Sequence, residues 1–461
     1  MKAMSSDKPL HDVPQPNSDA LREPNSDSQS DPFGNRTPGF TSIVDKDAVS
    51  LWEKVEKSHQ QRIQKAISDQ SATPPSCIVY PQTQAELAEV VAESYRNQCR
   101  ILICGSGSKL SWGGLATGID VVVSTERINR LIEHADSDLT VTVEAGMKFS
   151  ELEAILPKTS QFLALDPTAP TEATIGGIIA TSDTNSLRQR YGSVRDQLLG
   201  ITFVRADGQL AKAGGRVVKN VAGYDLMKLF TGSYGTLGII TQATFRLYPL
   251  QETSATAVLT GTAEAVAEAT NILRGSALTP TQADILSSQM VTSLGLGTGL
   301  GLIARFQSIA ASVKEQSNRL IEVGEKLGLA GAIYSAVDET DLWQKLPQQI
   351  NLLNNSEAIL CKIGILPNAA VEILTQAEIG FVHMSSGLGM LQFADGERIE
   401  EIRNLCQKYN GFLTILAAPT AVKQKLDVWG YRGNGLELMR GIKKQFDPEN
   451  ILSPGRFVGG I

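Results

Sequence analysis

Three glycine-rich stretches hold the residue types best suited to chemistry. The first is Cys104-Gly105-Ser106-Gly107-Ser108-Lys109-Leu110-Ser111-Trp112-Gly113-Gly114, just after a short apolar run. Small residues let backbone N–H groups approach a diphosphate closely, and serine hydroxyls add donors. It is not a dinucleotide fingerprint, because Leu110 stands where the third glycine belongs, nor a P-loop, because no Gly-Lys-Ser/Thr follows. Taken alone, the loop also reads as a plain surface turn. The second is Asp166-Pro167-Thr168-Ala169-Pro170-Thr171-Glu172-Ala173-Thr174-Ile175-Gly176-Gly177. Its prolines favour an extended chain, and Thr174 suits the N-cap of a helix opening on Gly176 and Gly177, an electropositive start fit for an anion or a flat ring edge. The third joins Lys219-Asn220-Val221-Ala222-Gly223-Tyr224-Asp225-Leu226 to Gly235-Thr236-Leu237-Gly238-Ile239-Ile240. Glycines this dense before a strand suggest backbone against a ligand face, or a tight structural crossover.

The elements that must position these loops follow from periodicity. Residues 45–68 read as helical. Residues 77–81 read as a short strand ended by Pro81. Thr83 with Glu86 three residues later has capping-box spacing before a helix over 84–97, with Leu87, Val90, Val91 and Tyr95 on one face. Residues 100–104, 120–124 and 139–144 read as strands. Asp207-Gly208 marks a hairpin between 200–206 and 209–213, and a last strand runs over 238–247 to Pro249. From about 252 the texture changes. Strands over 256–259, 300–306, 358–363, 380–384 and 388–393 alternate with helices over 263–274 and 310–327. This order suggests a ferredoxin-like split βαβ layer. No internal repeat is evident. The end, 436–461, reads as a helix followed by Asp447-Pro448 and Pro454-Gly455 turns.

Composition excludes several classes. A net charge of -7 without a Lys/Arg cluster argues against nucleic-acid binding. No apolar run is long enough to span a bilayer. The polar N-terminus resembles neither a signal peptide nor a transit peptide. Residues 1–40 carry six of the 19 prolines and little aliphatic periodicity, the texture of a disordered tail. Cys77, Cys99, Cys104, Cys361 and Cys406 form no CxxC pair or iron–sulfur spacing, and read as reduced thiols of a cytoplasmic protein. Membrane association through partners stays open.

Together the three loops resemble the FAD-binding domain of the vanillyl-alcohol oxidase superfamily, the PCMH-type fold, from about Ser76 to Pro249. The resemblance implies an α+β architecture. A two-part FAD-binding domain (45–251) follows the tail (1–44). A ferredoxin-like α+β cap (252–430) comes next, and a C-terminal segment (431–461) returns to the FAD domain. It implies that Cys104, Gly105, Ser106, Gly107, Ser108, Lys109 and Trp112 surround the FAD diphosphate. Asp166, Pro167, Thr174, Gly176, Gly177, Tyr191, Gly192, Arg195 and Asp196 would line the flavin and ribityl chain, and Gly238, Ile239 and Ile240 would pack near the rings. The loop has no histidine for a covalent link, which implies non-covalent FAD.

Trp429-Gly430, Met439–Pro448 and Ser453-Pro454-Gly455-Arg456-Phe457 resemble the glycolate oxidase FAD-binding subunit family. That resemblance implies a small 2-hydroxyacid substrate, a catalytic flavoprotein sister subunit and an iron–sulfur partner. Two departures from the catalytic sister stand out: Tyr234 replaces a glutamate, and His383-Met384-Ser385-Ser386-Gly387 keeps one histidine of a paired motif. No metal site is expected. Oxidising a 2-hydroxyacid needs a base for the hydroxyl proton and a cation for the carboxylate. His383 is the candidate base, with a structural histidine as the alternative. Lys219 and Arg432 are candidate anion holders. Three functions stay open: the flavin subunit of a complex, a stand-alone D-lactate-type dehydrogenase, and a non-catalytic structural subunit.

Overall fold

The computed structural model describes residues 39–68, 73–215, 223–350 and 358–461. The tail up to residue 38 and the stretch Lys219 to Ala222 therefore lie outside the described residues.

The apolar runs at Cys77–Val79, Val121–Ser124 and Ile101–Cys104 form three parallel strands in that order. All of Cys77–Val79 and Val121–Ser124 is buried, as parallel strands covered on both faces require. The covering helix, Gln84–Arg96, starts where the capping signal placed it. Thr83 accepts from the Glu86 amide (3.1 Å), and the Glu86 carboxylate accepts from the Gln82 amide (2.8 Å). The helix expected over 45–68 is mostly something else. Only Lys57–Gln64 is α-helical, and Val49–Leu51 is an edge strand antiparallel to Cys77–Val79. Strand pairing with a neighbour outweighs the weak helical periodicity there.

A second, antiparallel sheet has the order Leu131–Ala135, Thr140–Glu144, Ile239–Arg246, Leu198–Val204, Leu210–Gly214. Its last hairpin turns at Asp207-Gly208. Gly208 has φ +82°, and an added Cβ would press on Ala88 O at 2.6 Å, so the turn sits directly on the covering helix. The first glycine loop leaves the parallel sheet, the Thr174 helix packs on the antiparallel one, and the gap between the two sheets is where they meet.

The rest of the chain holds one eight-stranded antiparallel sheet. One half has the order Ala330–Ser335, Thr253–Gly261, Leu300–Ser308, Gln282–Leu286, with helices Ala263–Gly275 and Ala310–Lys326 in the connections. The other half has the order Ile379–His383, Leu388–Phe393, Ile359–Gly364, Phe412–Ala417, with helices Ala370–Gln376 and Ile399–Lys408. Each half is a complete βαββαβ ferredoxin-like unit. They join edge to edge through Asp284↔His383, Ile285↔Val382 and Leu286↔Phe381. The single layer expected from sequence is thus a duplication. The repeat escaped sequence inspection because the two halves share an alternation of buried residues, not a motif.

The two faces of this sheet differ. Ala257, Leu259, Ile285, Leu302, Cys361, Ile363, Val382 and Leu391 face the helices in one apolar core. The opposite face carries Thr256, Arg305, Gln282, Asp284, His383, Gln392 and Lys362. Its apolar members Phe381, Met390 and Leu360 pack with Trp112 of the first glycine loop.

The C-terminal segment returns to the parallel sheet. Ile451 O accepts from the Ile101 amide (2.7 Å), and the Ser453 amide donates to Ile101 O (2.8 Å). Helix Leu436–Phe446 places Phe446 edge-on to Phe230. Behind it, buried Lys443 meets Asp447 at 2.6 Å, and Asp447 in turn accepts from the Ile451 and Leu452 amides.

Candidate functional site

A cleft opens between the two N-terminal sheets. Its wall is the loop Cys104–Leu110, and none of the amides of Gly105, Ser106, Gly107, Ser108 and Lys109 donates to a protein acceptor among the described residues. The reason is visible in the carbonyls. Gly105 O accepts from Ser124 Oγ (3.0 Å) and Ser106 O from Arg62 Nη1 (3.2 Å). In a planar trans peptide the following N–H points the opposite way. All five residues line the cleft, and the N–H groups of Ser106 and Gly107 point away from the protein groups that hold the preceding carbonyls, which suits the loop to an anion cradle.

Thr174 caps helix Ile175–Thr181 as expected, accepting from the Gly177 amide (3.3 Å). The electropositive helix start, however, is already spent. The Ile175 amide donates to Met147 O and the Gly176 amide to Ala145 O, so this stretch offers the cleft a small, flat wall and few donors. Lys109 reaches Asp183 at 3.0 Å in a buried pair, and Asp183 also accepts from the Thr168 amide and hydroxyl.

Of the expected residues, Cys104, Gly105, Ser106, Gly107, Ser108, Lys109, Thr174, Gly176, Gly177, Gly238, Ile239 and Ile240 all line this cleft. The others lie outside its wall. Trp112 points into an adjoining cleft shared with Thr168, Leu360 and Ala417. Asp166, next to Pro167, is spent holding the turn at 184–187, accepting from the Asn185 and Leu187 amides (2.7 Å each). Tyr191 packs against Tyr248 with the rings tilted by 58°. Asp196 accepts from Ser193 beside Gly192, and Arg195 is exposed. Sequence reading missed Thr125, Thr181, Ser233, Tyr234 and Arg456, which complete the wall. Ser233 Oγ is buried without a partner. Tyr234 holds φ +56°, a strained conformation within a glycine run that could have flagged it. Arg456 comes from the far end of the chain, and no local signal marks it.

On the cap sheet, His383 Nδ1 lies 2.6 Å from Asp284 Oδ1, and both side chains are buried. Asp284 Oδ2 has no partner. Burial pushes the nearby Asp166 carboxyl up to about 6, against the pull of its two amide donors and of His383. Most buried cations here are engaged: Arg305 with Glu339, Lys109 with Asp183, Lys443 with Asp447. The side chains of Lys362, on the polar sheet face, and of Arg188 make no hydrogen bond or ion pair among the described residues. Burial, and the repulsion of Arg188, lower the Lys362 ammonium against the attraction of Asp183. Arg432 is exposed, and Lys219 lies outside the described residues. None of the five cysteines forms a disulfide. Among the described residues no group of three His, Cys, Asp or Glu side chains is arranged to hold a metal, and no helix is long and apolar enough to cross a membrane.

Comparison with known proteins indicates the cofactor. Residues 75–214 match the FAD binding domain family and residues 428–457 the C-terminal domain of FAD linked oxidases. Residues 75–214 thus carry an FAD-binding domain, and the C-terminal segment is similar to that of FAD linked oxidases. This chain is 24% identical over 416 residues to glycolate oxidase subunit GlcD of Bacillus subtilis, covering 83% of this chain and 88% of that one. It is 25% identical to a probable mitochondrial D-lactate dehydrogenase of Danio rerio, covering 90% of each. It is 24% identical to D-2-hydroxyglutarate dehydrogenase of Stutzerimonas stutzeri, covering 84% and 91%. Its fold matches p-cresol methylhydroxylase with a TM-score of 0.70 at 17% identity, covering 90% of this chain and 95% of that one. The α+β fold, the FAD cofactor and the oxidoreductase character follow. The residues present fit FAD: free amides for its diphosphate, the orphaned Ser233 hydroxyl for a polar edge, and Thr174 set against Gly105 to shape the entry.

Proposed function

We propose that this chain is the FAD-binding subunit of a glycolate-type 2-hydroxyacid dehydrogenase complex, and that it holds FAD non-covalently. The observation that carries the reading is the His383–Asp284 pair on the polar face of the cap sheet, on the side that packs against the cofactor loop. Bound FAD supplies a hydride acceptor. The protein supplies the proton acceptor and the anion site. A hydrogen bond from Nδ1 to Asp284 fixes the tautomer with a lone pair at Nε2, the arrangement of a general base for a hydroxyl proton. Lys362 and Arg188, whose side chains make no hydrogen bond or ion pair among the described residues, are the groups suited to a substrate carboxylate, in place of Lys219 and Arg432. The resemblance of the C-terminal motifs to the glycolate oxidase FAD-binding subunit family supports a flavoprotein sister and an iron–sulfur partner as electron acceptors. The domain division at 251/252 and 430/431 belongs to the same reading. It is supported by the change from two small sheets to one large sheet and by the return of the C-terminal segment.

The test is an anaerobic absorption spectrum of the purified chain, followed by glycolate and then D-lactate. Bleaching of the flavin bands by glycolate supports the reading. Bleaching by D-lactate alone favours a stand-alone D-lactate-type dehydrogenase, the reading favoured by similarity over nearly the full length of such relatives. A flavin spectrum that neither acid bleaches places turnover on a partner. Absence of flavin leaves a structural subunit.

A further inference from the structure

The first glycine loop is held at its far end by two buried cations from distant parts of the chain. Lys423, 6% exposed, lies on the short helix Thr420–Lys425, and its Nζ donates to Ser111 O and to Gly113 O (2.8 Å). Arg456, 4% exposed, donates through Nη1 to Leu110 O (2.7 Å) and Gly114 O (3.0 Å). Every acceptor of these two side chains is a neutral carbonyl, and no carboxylate among the described residues pairs with either. Backbone contacts reinforce the grip. The Gly113 amide donates to Leu416 O and the Gly114 amide to Arg456 O (3.0 Å each). The same short helix also ties into the N-terminal part, through Thr420 Oγ1 to Lys65 O (3.3 Å) and Gln424 Nε2 to Ser68 O (2.7 Å).

Two buried positive charges without a counter-charge are costly on their own account. Both flank a loop whose first half lines the cofactor cleft, and Arg456 itself lines that cleft. We infer that Lys423 is a positioning residue for FAD. It sets the loop from the cap side, and together with Arg456 it leaves a positive charge that the cofactor diphosphate neutralises. Cap docking and cofactor binding are therefore coupled through one side chain. Burial and the repulsion of Arg456 hold the Lys423 ammonium well below its usual range, as an uncompensated site requires.

The experiment uses the full chain stripped of flavin and reconstituted with FAD. Lys423→Met keeps the length and removes the charge, Lys423→Gln keeps a donor, and Lys423→Arg keeps the charge. The Kd for FAD is read from quenching of flavin fluorescence, the bound flavin from its visible circular dichroism, and the stability of the apoprotein from its urea midpoint. Lys423→Met and Lys423→Gln are expected to weaken FAD binding by about 10-fold or more, the size of one charge-assisted contact. The circular dichroism of the bound flavin should change, while the apoprotein midpoint holds or rises. Lys423→Arg should restore the Kd to within about 3-fold. Wild-type affinity in Lys423→Gln would overturn the inference, whether or not Lys423→Met folds. So would a loss of affinity that tracks a fall in the apoprotein midpoint and is not rescued by Lys423→Arg. An apoprotein of wild-type sequence that takes up no FAD would instead sink the cofactor assignment itself.

Discussion

Thr174 stands directly over Gly105: a Cβ added to Gly105 would lie well inside van der Waals contact distance of Thr174 Oγ1. The two residues come from different glycine stretches, and both line the cleft. The absence of a side chain at Gly105 brings the helix start against the free-amide loop.

Gly105→Ala should therefore displace either the loop or the helix start. FAD content after purification is expected to fall, with the Kd for FAD weakened by about 10-fold or more. Fluorescence titration of the apoprotein checks this. Unchanged FAD content would mean that the loop does not hold the diphosphate.

The His383–Asp284 pair makes a separate prediction. His383→Asn should lower the rate of flavin reduction by 2-hydroxyacid by about 100-fold or more while FAD binding stays intact, because only the proton acceptor is lost. Stopped-flow reduction kinetics measure it. Equal rates in variant and wild type would reduce His383 to a structural histidine.

Lys362→Met should raise KM for the acid about 10-fold to 100-fold and leave kcat less affected, since it removes a carboxylate contact made in ground state and transition state alike. A matched loss of kcat with constant KM would contradict an anion-holding role.

Asp166 predicts a pH dependence of stability. Its folded carboxyl titrates at about 6, above the ordinary 3.8, chiefly because it is buried. The folded chain thus holds this proton more tightly than the unfolded chain does. Its contribution is present below about pH 4 and disappears as the pH rises to about 6, a change on the order of 3 kcal/mol. Urea midpoints measured across this window should show the dependence, and Asp166→Asn should flatten it.

Asp447→Ala should cost about 3–5 kcal/mol of stability, because it strands the buried Lys443 ammonium and two amides at the turn that returns the C-terminal segment. Thermal unfolding reports it. FAD affinity should fall too, since Arg456 rides on the same segment.

What was readable in the amino-acid order was what local chemistry dictates. The Thr83 cap, the Asp207-Gly208 turn and the small residues of Cys104–Lys109 each act on neighbours within a few residues, so their roles can be inferred without knowing the fold. Five of the eight strands of the large sheet were legible for the same reason, while Gln282–Leu286, Ala330–Ser335 and Phe412–Ala417 were not. Tertiary structure decided the rest. Arg456 and Lys423 meet the glycine loop from more than 300 positions away. His383 finds Asp284 only because two ferredoxin-like halves join at their edge strands. The Thr174 helix looked like an anion site until its amides were found paired to Met147 and Ala145. Asp166 looked like a cofactor ligand until its oxygens were found holding a turn. A donor or a charge has one set of partners at a time, and when candidate partners lie far apart along the chain, packing of the whole molecule chooses among them.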